Sequence, residues 1–358
     1  MATQENKVGE NDEDVGRMSI LEIVSKESIE EFFGKEFFGN RYIEKLQCVE
    51  LLDAVEIQAH AFQDCKFLRT ITVPSTCTRI GQMAFAGLPS LEEVTLLGSF
   101  TSIDDGAFRR CKFLTRLTIS PSSVNDNNSY MDSPYIGKEA FEECRHLKTF
   151  EGGNRIRVIR ESAFAYCESL RSLRLPSSVQ LIGESAFIES SIRQVKLHEG
   201  LERIDAYAFD SCDLMKIRIP SSVRTIANGT FAACHSLSQV TLRQGLESIK
   251  DEAFYGCTSL ETIVIPSTVR EIAKHAFSGC TSLREITLCE GLESIKEEAF
   301  YGCTSLETIV IPSTVREIAR AFVGCTSLKE IVVPSAIGEI RVGAFTGCHE
   351  NLVVRIVR

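Results

Sequence analysis

The side chains with most chemistry to offer are 14 Cys and six His in a chain of 358 residues. Eleven of the cysteines, at 65, 111, 144, 167, 212, 234, 257, 280, 303, 325 and 348, each follow a Phe by three residues. Cys144, Cys234 and Cys348 have a His within two residues, yet no Cys-x-x-Cys pair occurs. A zinc site needs about four converging ligands with paired spacing. No Gly-x-Ser-x-Gly elbow, His-Glu-x-x-His or phosphate-binding Gly-Lys-Ser/Thr is present. Glu247, Glu293 and Glu298 fall at surface repeat positions, and a solvated face explains them better than acid–base pairs. The reading is no enzyme, no catalytic residue, no metal and no cofactor. The periodic cysteines read first as buried, reduced thiols, with disulfides and metal as alternatives; free Cys is among the most buried residue types. At the two ladder positions without Cys stand Leu88 and Ser190, and Leu marks the site as apolar. Cys48, Cys77 and Cys289 fall off this ladder, where they could be exposed.

The elements that carry these residues are repeats. Phe recurs at 62, 85, 108, 141, 164, 187, 209, 231, 254, 277, 300, 322 and 345, preceded by Ala in all units but one, where Thr230 stands. The gaps are 22 or 23 residues, except 33 between Phe108 and Phe141, which is one unit plus ten residues. In a late unit, Leu260, Ile263 and Ile265 read as a strand whose last two apolar residues share one face. Pro266-Ser267-Thr268 turns the chain, Val269 and Ile272 lead back along a second side, and Ala276-Phe277 sends a ring inward. Other units turn instead at Gly-Leu-Glu, at 200–202, 245–247 and 291–293. No unit can bury its apolar face alone, so stacked coils share one core.

The Leu-x-x-Ile-x-Ile-Pro-x-x-Val-x-x-Ile pattern followed by Ala-Phe-x-x-Cys resembles the BspA-like class of leucine-rich repeats, over roughly residues 48–358. The resemblance implies an α/β chain leaning to β: a solenoid of about 13 coils, with a parallel concave sheet and short strands and helical turns on the other side. It also implies binding. A non-catalytic protein–protein interaction scaffold is the first expectation, and a surface or secreted adhesin, the role of many members, is the alternative.

Alternation along the strands assigns the outward positions. Arg174, Lys196, Lys216 and Arg218 fall on that face, flanked by Arg171 and Arg193. A stripe of like charge across successive coils makes a local field even on a chain of net charge −10. It suits a protein partner with an acidic segment; the chain's own Glu10 to Asp14 is one variant. The acidic total argues against nucleic acid. The ten extra residues, near 125–134, read as a projecting loop, with Tyr130, Met131 and Tyr135 as adhesive groups.

Terminal coils expose apolar surface and need caps. Residues 1–16 read as a disordered acidic tail and 17–47 as a small helical cap. In that cap Ile20, Leu21, Ile23 and Val24 have helical spacing, Ser28 caps a second helix ahead of Glu30 and Glu31, and Phe32, Phe33, Phe37 and Phe38 cover the first coil. Val353 to Val357 reads as a last strand with an open edge, which points to a monomer or a weak end-to-end dimer. No signal peptide or membrane span is visible, so the expected location is intracellular, with cytoplasm first.

Overall fold

The computed structural model describes residues 17–20, 47–51, 54, 56–97, 100–120, 134–152 and 155–357. Each coil has three sides. The first carries the strands predicted from Leu260 to Ile265: in Thr262–Ile265, Ile263 and Ile265 are buried while Thr262 and Val264 face out. The second carries two-residue strands such as Glu271–Ile272, with the Ile buried. Both sets pair in parallel with their neighbours, one coil to the next. The interior is filled by side chains of all three sides, and the repeat Phe rings form its spine. They stack face to face from Phe62 to Phe345, with centroids 4.7 to 6.0 Å apart. The stack passes the insertion undisturbed, with Phe108 and Phe141 5.1 Å apart.

Corners are set by what the adjoining coil presents. Gly291, at φ 113°, lies against the Pro266-Ser267 turn of its neighbour, and a Cβ there would sit 2.2 Å from the Ser267 carbonyl oxygen. Proline corners and Gly-Leu-Glu corners are therefore complementary: the first projects a carbonyl into the space that the second leaves open.

The third side is not helical, and the described residues contain no helix. Eleven of the thirteen repeat Phe residues, all but Phe62 and Phe322, are flanked two residues before and two after by a left-handed residue, such as Glu252 (φ 58°) and Gly256 (φ 67°) around Phe254. Left-handed residues every fourth position break an α-helix. The N–H groups go sideways instead: Phe254 donates to the Ala276 carbonyl and Phe277 to that of Ala299, both at 2.8 Å. The expected helical turns are thus replaced by a third hydrogen-bonded ladder, and the described residues are all-β. The expected helical cap is corrected at its start, because Arg17–Ile20 is a strand paired in parallel with Cys48–Leu51. Leu21 to Phe38, with Ser28 and the four Phe, lie outside the described residues, as do Glu10 to Asp14, Tyr130 and Met131.

At one level both sheets are interrupted among the described residues. The first stops after Gln194–Val195 and resumes at Lys216–Arg218; the second stops after Arg203–Ile204 and resumes at Thr225–Ile226. The units that begin at Phe187 and Phe209 each lack one residue between the ladder position and the next core residue, as in Cys212-Asp213-Leu214 against Cys234-His235-Ser236-Leu237. The full corner closes with Leu237 N–H on the Cys234 carbonyl at 3.0 Å. The shortened corner cannot make that turn, so its strand enters in a different position. The Phe stack continues across, 5.2 Å between Phe187 and Phe209.

Candidate functional site: the outward face of the first sheet

The predicted cations gather on one face. Strands Ser172–Arg174 and Lys216–Arg218 both show an exposed-buried-exposed pattern, so Arg174, Lys216 and Arg218 point away from the core. Lys196 follows the strand Gln194–Val195 and is exposed too. Arg171 and Arg193 stand just before their strands in a row held by backbone bonds: Arg171 N–H to the Lys148 carbonyl, Arg193 to Arg171, and Met215 to Arg193, at 3.2, 3.4 and 3.2 Å. Neighbouring strands lie about 4.8 Å apart, so these side chains form one patch four coils wide.

Two members of the patch escaped the sequence reading, Lys148 and the exposed Met215. Both occupy the repeat position of Arg171 and Arg193. Counting from the repeat Phe finds Lys148 directly, seven residues after Phe141, and Met215 once the one-residue deletion of its unit is placed. Tyr135 is corrected. It does not project from a loop: it opens the second-sheet strand Tyr135–Ile136, on another side of the coil. Its hydroxyl lies 2.8 Å from Asp104 Oδ1, and the Arg160 guanidinium stacks 3.6 Å above its ring. Burial, then the Asp104 carboxylate, raises the phenol pKa, so this Tyr is a structural donor.

Charge pairing separates the patch from the rest of the face. Elsewhere Arg69 meets Glu92 at 2.7 Å, Arg116 meets Glu93 at 2.9 Å, Lys329 meets Glu307 at 3.5 Å and Arg355 meets Glu330 at 3.0 Å, with Arg243 and Arg284 the exceptions. In the patch Lys148, Arg171, Arg193, Lys196 and Lys216 make no ion pair among the described residues. Arg174 pairs with Glu151 at 3.5 Å, and Arg218 reaches Glu199 at 3.9 Å. Glu199 is occupied elsewhere. Its Oε2 accepts from the Ser221 hydroxyl and N–H at 2.8 and 2.9 Å, which hold its carboxyl below the usual range. The patch also spans the level at which both sheets are interrupted.

The cysteines offer no competing site. Cys111, Cys144, Cys167, Cys212, Cys234, Cys257, Cys280, Cys303, Cys325 and Cys348 each donate S–H to the carbonyl of the repeat Phe one coil earlier, at 3.0 to 3.3 Å. Ser190 makes the same bond to Phe164 at 2.9 Å. The position is therefore buried but also a donor, which explains Ser as a substitute where Leu88 alone indicated an apolar site. Burial pushes the Cys111, Cys234 and Cys280 thiols up to about 12. Cys77, read as open to solvent, is fully buried; its S–H reaches the Arg79 carbonyl at 3.3 Å. Among the described residues no group of three or more His, Cys, Asp or Glu converges as metal ligands, and no helix is long and apolar enough to cross a membrane.

The solenoid is similar to a leucine-rich repeat protein from Bacteroides ovatus, with a TM-score of 0.65 at 24% identity over 88% of this chain and 85% of that one. Weaker likenesses include a leucine-rich cell surface protein from Faecalibacterium prausnitzii (24% identity, 85% and 83% covered, TM-score 0.47) and the pneumococcal vaccine antigen PcpA (19%, 87% and 80%, TM-score 0.46). No curated protein matches the sequence. The BspA-type leucine-rich repeat region matches residues 31–133, 128–238 and 224–353. With that repeat running through nearly its whole length and a parallel solenoid built on it, the chain belongs to the BspA-type leucine-rich repeat family.

Proposed function

We propose that this protein is a non-catalytic interaction scaffold, and that the unpaired cations of Lys148 to Arg218 capture a protein partner through an acidic segment. The observation behind the proposal is the contrast in pairing: five neighbouring cations without a carboxylate, on a face most of whose other cations have one. Exposed charges contribute little one at a time. Several at ~5 Å spacing in one field add to encounter rate and specificity. The half-exposed Met215 adds an apolar contact amid them.

A partner in trans fits better than the chain's own acidic run. Glu10 precedes Arg17 by seven residues, a reach of at most about 25 Å. From the strand Arg17–Ile20 to Lys216–Arg218 there are eight steps in the coil stack, about 38 Å. At full extension the backbone of Glu10 to Asp14 therefore covers only the nearer coils of the patch and stops short of the strand Lys216–Arg218.

The test uses a fluorescent oligo-glutamate peptide. Binding should weaken at least about tenfold (~1.4 kcal/mol) in R174E/K196E/R218E, and should fall as salt rises from roughly 0.05 to 0.5 M. Equal binding by the variant would sink the proposal. Family membership supports a second reading, a surface or secreted adhesin using the same face. The buried thiol ladder favours a reducing, intracellular setting. Fractionation of the source cells decides between the two.

A further inference from the structure

The last strand, Val353–Val357, is exposed along its whole length. Its pairing with Glu330–Pro334 sets Val354 beside Ile331 and Ile356 beside Val333. Ile331 and Val333 are in the core, whereas Val354 and Ile356 are 43% and 69% exposed, because no described coil lies beyond them. Val342, Val353 and Val357 are exposed nearby, and Phe345 ends the ring stack only partly covered. This end of the described solenoid is a cut core.

The backbone of the strand is equally incomplete. Val353 N–H donates to the Lys329 carbonyl at 2.8 Å, and the Val357 carbonyl accepts from Ser335 N–H at 2.7 Å. In a parallel ladder the inward-bonding residues alternate, so Val353, Arg355 and Val357 face the Glu330–Pro334 strand. The N–H and C=O groups of Val354 and Ile356 point off the edge. An apolar edge of this kind is a template for another strand.

We infer that the strand to fill it is its own copy, paired antiparallel across a two-fold axis through Arg355. The sequence Val-Val-Arg-Ile-Val reads nearly the same in both directions. Centred on Arg355, the pairing sets Val354 of one copy opposite Ile356 of the other, and Val353 opposite Val357. The hydrogen-bond phase agrees. Val354 and Ile356 of the partner subunit form a hydrogen-bonded pair that uses the edge groups left free, and the symmetric pair repeats it. Arg355 then falls at the close, non-hydrogen-bonded position. Two facing arginines would repel, but each is already held by Glu330 at 3.0 Å. A two-fold pairing closes on itself, whereas head-to-tail stacking onto the Arg17–Ile20 end would propagate into a filament. The two inner faces lie on the same side, so the dimer joins both apolar ends into one core.

The test is sedimentation velocity of the full chain from about 1 to 200 µM. Wild type should shift from monomer to dimer, and I356K should weaken association at least tenfold. Ile356 is 69% exposed, so the lysine has little effect on the monomer, which an unchanged circular dichroism melt would verify. V310K, on the exposed sheet face, should dimerise as wild type. R355C should form an intermolecular disulfide under mild oxidation, because facing residues at that position bring Cα atoms within bridging range. Head-to-tail stacking gives no such bridge. A monomer throughout the range, a dimer indifferent to I356K, or a dimer in which R355C does not cross-link would each overturn the inference.

Discussion

A ladder cysteine in this fold is a hydrogen-bond donor first and a thiol second. Its S–H fills a carbonyl lone pair that points into the core, between one Phe and the next, and Ser190 can replace it for that reason. The donor must stay protonated to do this. Burial raises Cys65, Cys111, Cys234 and Cys280 to about 12, from an ordinary value of 9.0. In the unfolded chain these thiols lose protons as pH passes about 9, while the native chain keeps them. The native state then binds more protons than the unfolded one, so stability is fully present below pH 9 and falls between about pH 9 and 12. The loss is about 1.4 kcal/mol per pH unit for each such thiol. Thermal melts from pH 7 to 11 should show a steep alkaline drop, and a Cys234→Ser variant should lessen it. The same burial predicts that a thiol reagent at pH 8 labels Cys48, Cys289 and Cys348 rapidly and the others only on unfolding. Rapid labelling of Cys257 or Cys280 would contradict the ladder.

The element with most to teach is the third side of the coil. Its Ala-Phe-x-Gly-Cys run shows no Pro and few β-branched residues, and a helical turn is a fair expectation for it. The left-handed residues on both sides of the Phe decide otherwise. Half of the positions two residues after the Phe hold Gly, as at 256, 279, 302, 324 and 347, while Arg110, Glu143, Tyr166, Glu189, Ser211 and Ala233 adopt the same conformation without it. The gain in inter-coil bonding there offsets the backbone cost. Gly302 isolates that cost, since a Cβ would meet nothing within 4 Å and φ is 66°. Gly302→Ala should destabilise by about 1–2 kcal/mol through the backbone alone, measured as a shift in urea midpoint at constant slope. A neutral result would mean that the arc is free to relax, against its role as a fixed ladder.

At the scale of the whole molecule, the stack behaves as a one-dimensional array in which each coil answers to its neighbours. Phe108 and Phe141 are 33 residues apart in sequence and still 5.1 Å apart as rings, and Phe108 N–H donates to the Ala140 carbonyl at 2.8 Å, the bond that the repeat Phe residues from Phe62 to Phe322 all make to the next coil. The repeating path is therefore the same in the coils on either side of the insertion. Deleting 125–134 should leave the melting temperature within a few degrees, because closure of a longer loop costs only a fraction of a kcal/mol. A large drop would show that the segment braces the coils on either side.

The sequence by itself determined the unit, its period and its apolar face. Phe, Cys, Leu and Ile recur at fixed offsets, and one buried position per offset leaves few ways to stack thirteen copies. The spacing also located the cations and the open last strand, since outward and inward positions alternate wherever strand register is kept. Three things needed the tertiary structure. Backbone sign at the residues around each Phe is invisible in side-chain type when Arg, Glu or Tyr occupies them as readily as Gly. Tyr135 changed sides, because a strand resumed one residue after the insertion was expected to end. Which cations lack a carboxylate also depends on the coil next door, a contact about 23 residues away in sequence that residue counts over a segment average out. Charge pairing across coils, rather than charge content, sets this patch apart from the rest of its face.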